Sequence, residues 1–161
     1  HKPKRTELMS LAPLFTEYHR FALYEDAARA IPALAKTHKV AIVSGLPPFL
    51  LKPVLEPLKL ALAVVTPRQA KAALPSPKVF RFAAQALALR PKDVAVVSAD
   101  CEDGLAVPKS LGFPTVFLRR QGEATCAHAS TLIKSLDELE AALRPVPAKV
   151  DAPAPAAPAK A

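Results

Sequence analysis

Residues 93–103 read Asp93-Val-Ala-Val-Val-Ser98-Ala99-Asp100-Cys101-Glu102-Asp103. An apolar, valine-rich run is delivered straight into a hydroxyl and three carboxylates. Three more short runs share its character: Lys39-Val-Ala-Ile-Val-Ser44, Leu60-Ala-Leu-Ala-Val-Val65 and Thr115-Val-Phe-Leu118. Near-continuous apolar character, as opposed to alternation, is what a parallel sheet covered on both faces requires, so these four runs are predicted to be buried strands.

Helical signals fall around and between the runs. Glu25 to Lys36 has acids in its first turn and Ile31, Leu34 and Ala35 at helical spacing, with Pro32 as an interruption. Ser76-Pro77 places a capping side chain before a proline at the first helical position, and Val79, Phe82, Ala83, Ala86 and Leu87 follow at i, i+3, i+4, i+7 and i+8. Ser135 to Leu143 opens with Ser135 and Glu138 in capping-box spacing and carries Leu136, Leu139 and Leu143 as its stripe. Alternating strand and helix with short connections predicts right-handed crossovers and an α/β, Rossmann-like three-layer sandwich with a mostly parallel sheet.

Composition bounds the function. The 161 residues are 51% apolar and 22% charged, with 18 prolines, 4 glycines and 2 cysteines, as expected of one soluble globular domain. Charges or prolines interrupt every hydrophobic run, so no membrane-spanning helix is expected. The sequence starts at His1, its sole methionine is Met9, and its basic N-terminal stretch has no apolar h-region, which predicts a fragment or processed chain without a secretory signal. Cys101 and Cys126 form no metal-ligand spacing, and two cysteines cannot staple a chain of this size, so a reducing, cytoplasmic setting is the simplest expectation. The formal charge is +8, but the 22 Lys and Arg never exceed two in a row, and the 7 Phe and 2 Tyr are not interleaved with them. That pattern argues for a solvated surface and against a nucleic-acid partner. From Pro145 onward the sequence is Pro- and Ala-rich with no aromatic residue, so 145–161 is predicted to be a disordered tail and 1–144 the folded part.

Open α/β sheets bind ligands at the carboxyl ends of their strands. The residues there are Ser44-Gly45, Thr66-Pro67, the Ser98 to Asp103 loop and Arg119-Arg120. Ser44 and Gly45 supply a hydroxyl and accessible backbone N–H groups that suit a phosphate or carboxylate; the plainer reading is a serine closing a turn beside a flexible glycine. Asp100, Glu102 and Asp103 supply enough carboxylate to hold magnesium or orient a water, and equally enough to cap a helix start. No GxSxG elbow is present, so a serine hydrolase is not supported.

The order of these segments, with Val-Ala-Ile-Val-Ser-Gly at 40–45, Pro-Ser-Pro-Lys-Val-Phe at 75–80, Val-Val-Ser-Ala-Asp-Cys-Glu-Asp at 96–103 and Leu-Gly-Phe-Pro-Thr-Val-Phe-Leu-Arg-Arg at 111–120, resembles the haloacid dehalogenase (HAD) superfamily, and within it the 2-haloacid dehalogenase (type II) branch. The resemblance spans roughly residues 12–143. It implies C–X bond hydrolysis through an aspartyl ester, or phosphate-ester hydrolysis in the magnesium-dependent branches, with a small anionic carboxylate or phosphate ester as substrate. The dehalogenase branch works without a metal or other cofactor. Carried over by motif, the site residues are Ser44, Asp100 and Asp103 as catalytic remnants, with Gly45 and Lys71 toward the substrate.

Three departures accompany the resemblance. The aspartates are Asp26, Asp93, Asp100, Asp103, Asp137 and Asp151, and none ends an N-terminal apolar strand as the family's nucleophile does. Gly45 stands where an asparagine often follows the serine. Leu74 stands where the family has a lysine before proline, with Lys71 one helical turn away in sequence. Covalent catalysis needs the nucleophile, and the lysine's charge restrains it and stabilises developing negative charge. The sequence therefore predicts a HAD-like hydrolase core lacking the nucleophile strand and catalytically incomplete as written, through truncation or gene decay. The other reading is a non-catalytic Rossmann-like binding or scaffold module. The family's nucleophile strand lies between the strands ending at Ser44 and Ser98, so those two are expected either to pair directly or to flank a gap.

Overall fold

A computed structural model of the chain describes residues 22–143. The expected tail at 145–161 and the expected helix and connection over most of 1–24 lie outside these residues. Among the described residues five strands are present: β1 (Ala41–Val43), β2 (Ala63–Val65), β3 (Val96–Ser98), β4 (Thr115–Leu118) and β5 (Thr131–Ile133). Six α-helices accompany them: α1 (Glu25–Leu34), α2 (Pro48–Leu55), α3 (Pro67–Ala70), α4 (Pro77–Ala86), α5 (Val107–Ser110) and α6 (Leu139–Leu143). No helix among the described residues is long and apolar enough to cross a membrane.

Every strand pair is parallel, as the unbroken apolar runs required. The strands form two ladders, β1 with β2 and β3-β4-β5. Within the described residues β1 and β3 are not paired with each other, so the direct pairing of the two is not the arrangement found. The burial pattern follows: β4, flanked on both sides, is buried along its whole length, whereas β1 and β3 are only half-buried.

Strand alternation sorts the side chains into two layers. On one face Val116, Leu118 and Ile133 pack with Ala30 and Leu34 of α1 and Leu139 of α6, and half-buried Val40 and Val97 join them. On the other face α4 serves both ladders: Val79 and Ala83 meet Val65 and Val43, while Phe80 and Ala84, one position along the helix, meet Phe113, Val94 and Val96. Ser76 caps α4 by accepting from the Lys78 N–H at 3.4 Å, and Pro77 occupies the first turn, where no N–H is needed. The fold is thus an α/β three-layer sandwich whose two ladders are held in one body by α4 and α1.

Several local expectations differ in detail. The first helix runs through Pro32 but ends at Leu34, with tighter turns at Lys36 and Thr37. The last segment begins as a 3-10 turn, Leu136–Glu138, before α6; Ser135 does cap it, accepting from Asp137 N–H at 3.2 Å, but Glu138 accepts from Lys134 N–H and no reciprocal box closes there. A complete capping box occurs instead at Thr66 and Gln69, opening α3. α2 and β5 were not foreseen.

Thr115, fully buried, fastens β5 to β4. Its hydroxyl donates to the His128 carbonyl at 2.6 Å and accepts from the Ser130 N–H at 3.1 Å. Thr115→Val keeps the shape and takes the donor from the His128 carbonyl, while the Ser130 N–H keeps its bond to the Thr115 backbone carbonyl at 2.8 Å, so urea unfolding is expected to show a loss of about 1 kcal/mol.

Candidate functional site

β1 and β3 finish with the same local chemistry. Ser44 donates its N–H to the Val65 carbonyl at 3.0 Å, and its Oγ accepts from the Leu46 N–H at 3.1 Å. Ser98 Oγ accepts from the Asp100 N–H at 3.0 Å. Each serine therefore closes the turn that leaves its strand, the plainer of the two roles expected for Ser44, while its hydroxyl proton is still available to an acceptor.

The acidic loop winds on itself. Asp100 Oδ1 accepts from the Asp103 N–H at 2.8 Å, and the chain continues as one π-helical turn, Glu102–Ala106, into α5. Asp100 thus acts as a cap on the turn that follows. A π turn accommodates one residue more than an α turn. Pro108, with no N–H to give, sits just beyond it. Glu102 pairs with His128, Nε2 to Oε2, at 3.4 Å, with Glu102 largely exposed. No three His, Cys, Asp or Glu side chains come together as a metal cluster among the described residues. Asp100 Oδ1 is engaged in its own turn, and no chemical step is assigned to a metal ion.

Gly104 allows the turn to lie against β3. A Cβ there would run into Ser98 Oγ and stand 2.5 Å from Ser98 Cβ. Gly104→Ala is expected to push the turn off Ser98 and to lower stability by about 2 kcal/mol in denaturant unfolding, with the Asp103 amide losing protection in hydrogen exchange.

The residue that approaches Gly45 is Leu74, whose Cδ1 lies 3.9 Å from where a Cβ on Gly45 would be. It is 36% exposed, and its peptide bond to Pro75 is cis. Lys71 ends α3 in the left-handed conformation and is exposed, with no ion pair or side-chain hydrogen bond to another of the described residues. The structure thus brings an alkyl side chain, not an ammonium, to the Ser44-Gly45 turn. Nothing in it draws Lys71 to the serine.

Arg119-Arg120 follow β4, and Arg120 turns inward. One guanidinium nitrogen lies 3.0 Å from both oxygens of Asp26, and the guanidinium stacks 4.0 Å above the Tyr24 ring. Asp26 is only 8% exposed and also accepts from the Ala27 and Leu136 N–H groups, at 2.8 and 2.9 Å. Burial pushes its pKa up, but the Leu136 N–H and the Arg120 guanidinium outweigh burial and hold the carboxylate below its ordinary 3.8. Sequence spacing gave no sign of this pair, 94 residues apart.

Cys101 and Cys126 are joined in a disulfide, with Cα atoms 5.5 Å apart. The expectation that two cysteines cannot staple the chain is corrected by this bond. Two cysteines are too few for a network, but strand pairing brings the loop after β3 beside the β4–β5 connection at bonding distance.

Comparison with protein-family models and with curated proteins finds no match. Comparison with solved structures finds many. A dehalogenase crystallised as an intermediate complex is 29% identical with a TM-score of 0.74, the match covering 89% of this chain and 65% of that one. A HAD phosphatase from Thermococcus onnurineus is 24% identical with a TM-score of 0.71, over 89% and 66% of the two chains. An L-2-haloacid dehalogenase from Xanthobacter autotrophicus, with chloropropionic acid covalently bound, is 20% identical with a TM-score of 0.72, over 91% and 69%. The chain spans about two thirds of the length of these structures. Parallel ladders, helices on both faces and this agreement along nearly all of the chain lead to one conclusion: the protein has the α/β, Rossmann-like fold of the HAD hydrolases.

Proposed function

We propose that this chain carries a hydrolase core related to the 2-haloacid dehalogenases, and that by itself it does not turn over. The observation that carries this reading is that, among the described residues, β1 and β3, the strands that flank the nucleophile strand in the fold family, do not pair with each other, while no aspartate ends an N-terminal apolar run in this sequence. Ser44 and Gly45 on one side, and the Ser98 to Asp103 turn on the other, face a small anionic carboxylate or phosphate ester. The Ser44 hydroxyl and the Gly45 backbone donate to the anion, and Asp100 and Asp103 shape the opposite wall. Two features weaken the chemistry together: no carboxylate attacks carbon or phosphorus, and Leu74 offers no charge to stabilise the transition state.

A second reading, a module that holds such an anion without transforming it, is favoured by the engagement of both strand-end serines and Asp100 in their own turns. Purified protein assayed for halide release from 2-chloropropionate and phosphate release from p-nitrophenyl phosphate is expected to give rates at the blank level. Turnover abolished by Ser44→Ala or Asp100→Asn would overturn the proposal. Inorganic phosphate binding lost in Ser44→Ala, with no turnover in the parent, selects the binding module.

A further inference from the structure

The disulfide lies where the candidate site is built. Cys101 directly follows Asp100 and opens the π turn, and Cys126 lies in the 119–130 connection between β4 and β5. Both ends of that connection are anchored elsewhere, Arg120 to Asp26 and His128 and Ser130 to Thr115. Between those anchors residues 121–125 are exposed, and Cys126 carries the covalent tie. An ion pair bridging the same two segments, His128 to Glu102, involves a glutamate that is 79% exposed, and such surface pairs contribute little. Both cysteines are half-buried, so a small thiol can reach the bond.

We propose that Cys101–Cys126 is a thiol-responsive clasp, which fixes the acidic turn after β3 to the β4–β5 connection when oxidised and releases both segments when reduced. In the opening step a dithiol reductant attacks one sulfur. The S–S bond breaks with one cysteine leaving as thiolate and the other held as a mixed disulfide; the second thiol of the reductant displaces that one. Two electrons and two protons pass to the protein, leaving two cysteine thiols and one oxidised, cyclised reductant. The core is not required to open, because β3 and β4 remain paired through their own ladder and Thr115 still holds His128 and Ser130. The clasp does not depend on the protein having turnover.

Dithiothreitol is the probe, and the whole chain is compared oxidised, reduced and as the Cys101→Ser/Cys126→Ser double variant. Three hydrogen-bonded amides report on the freed segments: Asp103, Leu105 and Ala129, bonded to Asp100, Cys101 and Cys126 respectively. Reduction is expected to raise their exchange at least tenfold and to raise cleavage after Glu123 by a glutamyl endopeptidase by a similar factor. Exchange in β4 should be unchanged, the double variant should match the reduced chain, and reoxidation should restore protection. Exchange and cleavage within twofold of the oxidised chain would overturn the proposal. So would a rise in β4 exchange as large as in the loops, which would make the bond a staple of the whole fold.

Discussion

Replacing Asp26 by alanine is expected to lower the unfolding free energy by about 4 kcal/mol, because the substitution strands the inward-turned Arg120 guanidinium and leaves the Leu136 N–H without its acceptor. In a domain of this size that loss corresponds to a melting temperature roughly 10 °C or more below the parent. The carboxylate ties the start of α1 to the end of β4 and to the turn before α6, three segments distant in sequence. Its pH dependence has a definite sign. Burial opposes the charge, but the Leu136 and Arg120 partners prevail, so the folded pKa lies below the unfolded one. The contribution is therefore complete above the ordinary 3.8 and is lost as pH falls through the depressed folded value. Exposed Asp137, held low by its hydrogen bond from Arg29, moves in the same direction. Urea titrations between pH 6 and pH 2 check this: the Asp26→Ala curve should fall less steeply than the parent's on the acid side. Parallel acid limbs would refute it.

Ile133→Ala is expected to cost about 3 kcal/mol. Ile133 is 2% exposed and fills the layer between Val116, Leu118, Leu34 and Leu139, where the backbone of an edge strand has little freedom to collapse into the space left. Leu132, its neighbour in the same strand, is 39% exposed and points to the other face; Leu132→Ala should change stability by about 0.5 kcal/mol or less. Chemical denaturation of the two variants tests strand β5 itself. Equal losses at 132 and 133 would mean that the alternation, and so the strand, is misassigned.

The positions that the sequence did not reveal have separate physical causes. β5 is three residues long, too short for a period-2 pattern to stand out from its polar flanks. α2 carries Pro48 and Pro53, which read as breakers, yet its first turn needs no N–H and a single interior proline removes only one bond. Lys71 looked able to substitute for a missing lysine by distance along the chain, but the short helix α3 ends on it and leaves it exposed while Leu74 turns toward Gly45. The acidic loop was read equally as a ligand cluster and a cap. Only the direction of Asp100 Oδ1, toward the Asp103 amide, decided its role in this structure.

What the sequence determined by itself was local and periodic. Valine-rich runs without alternation required strands covered on both faces, Ser76-Pro77 with its apolar stripe required α4, and no aspartate stands at the end of an N-terminal apolar run. These properties follow from side-chain shape and backbone hydrogen bonding over a few residues. Pairings across long stretches of chain were left to the tertiary structure: the break between β1 and β3, Asp26 with Arg120 across 94 positions, and Cys101 with Cys126 across 25. Such contacts depend on how packed layers bring distant segments together, and no local pattern records that.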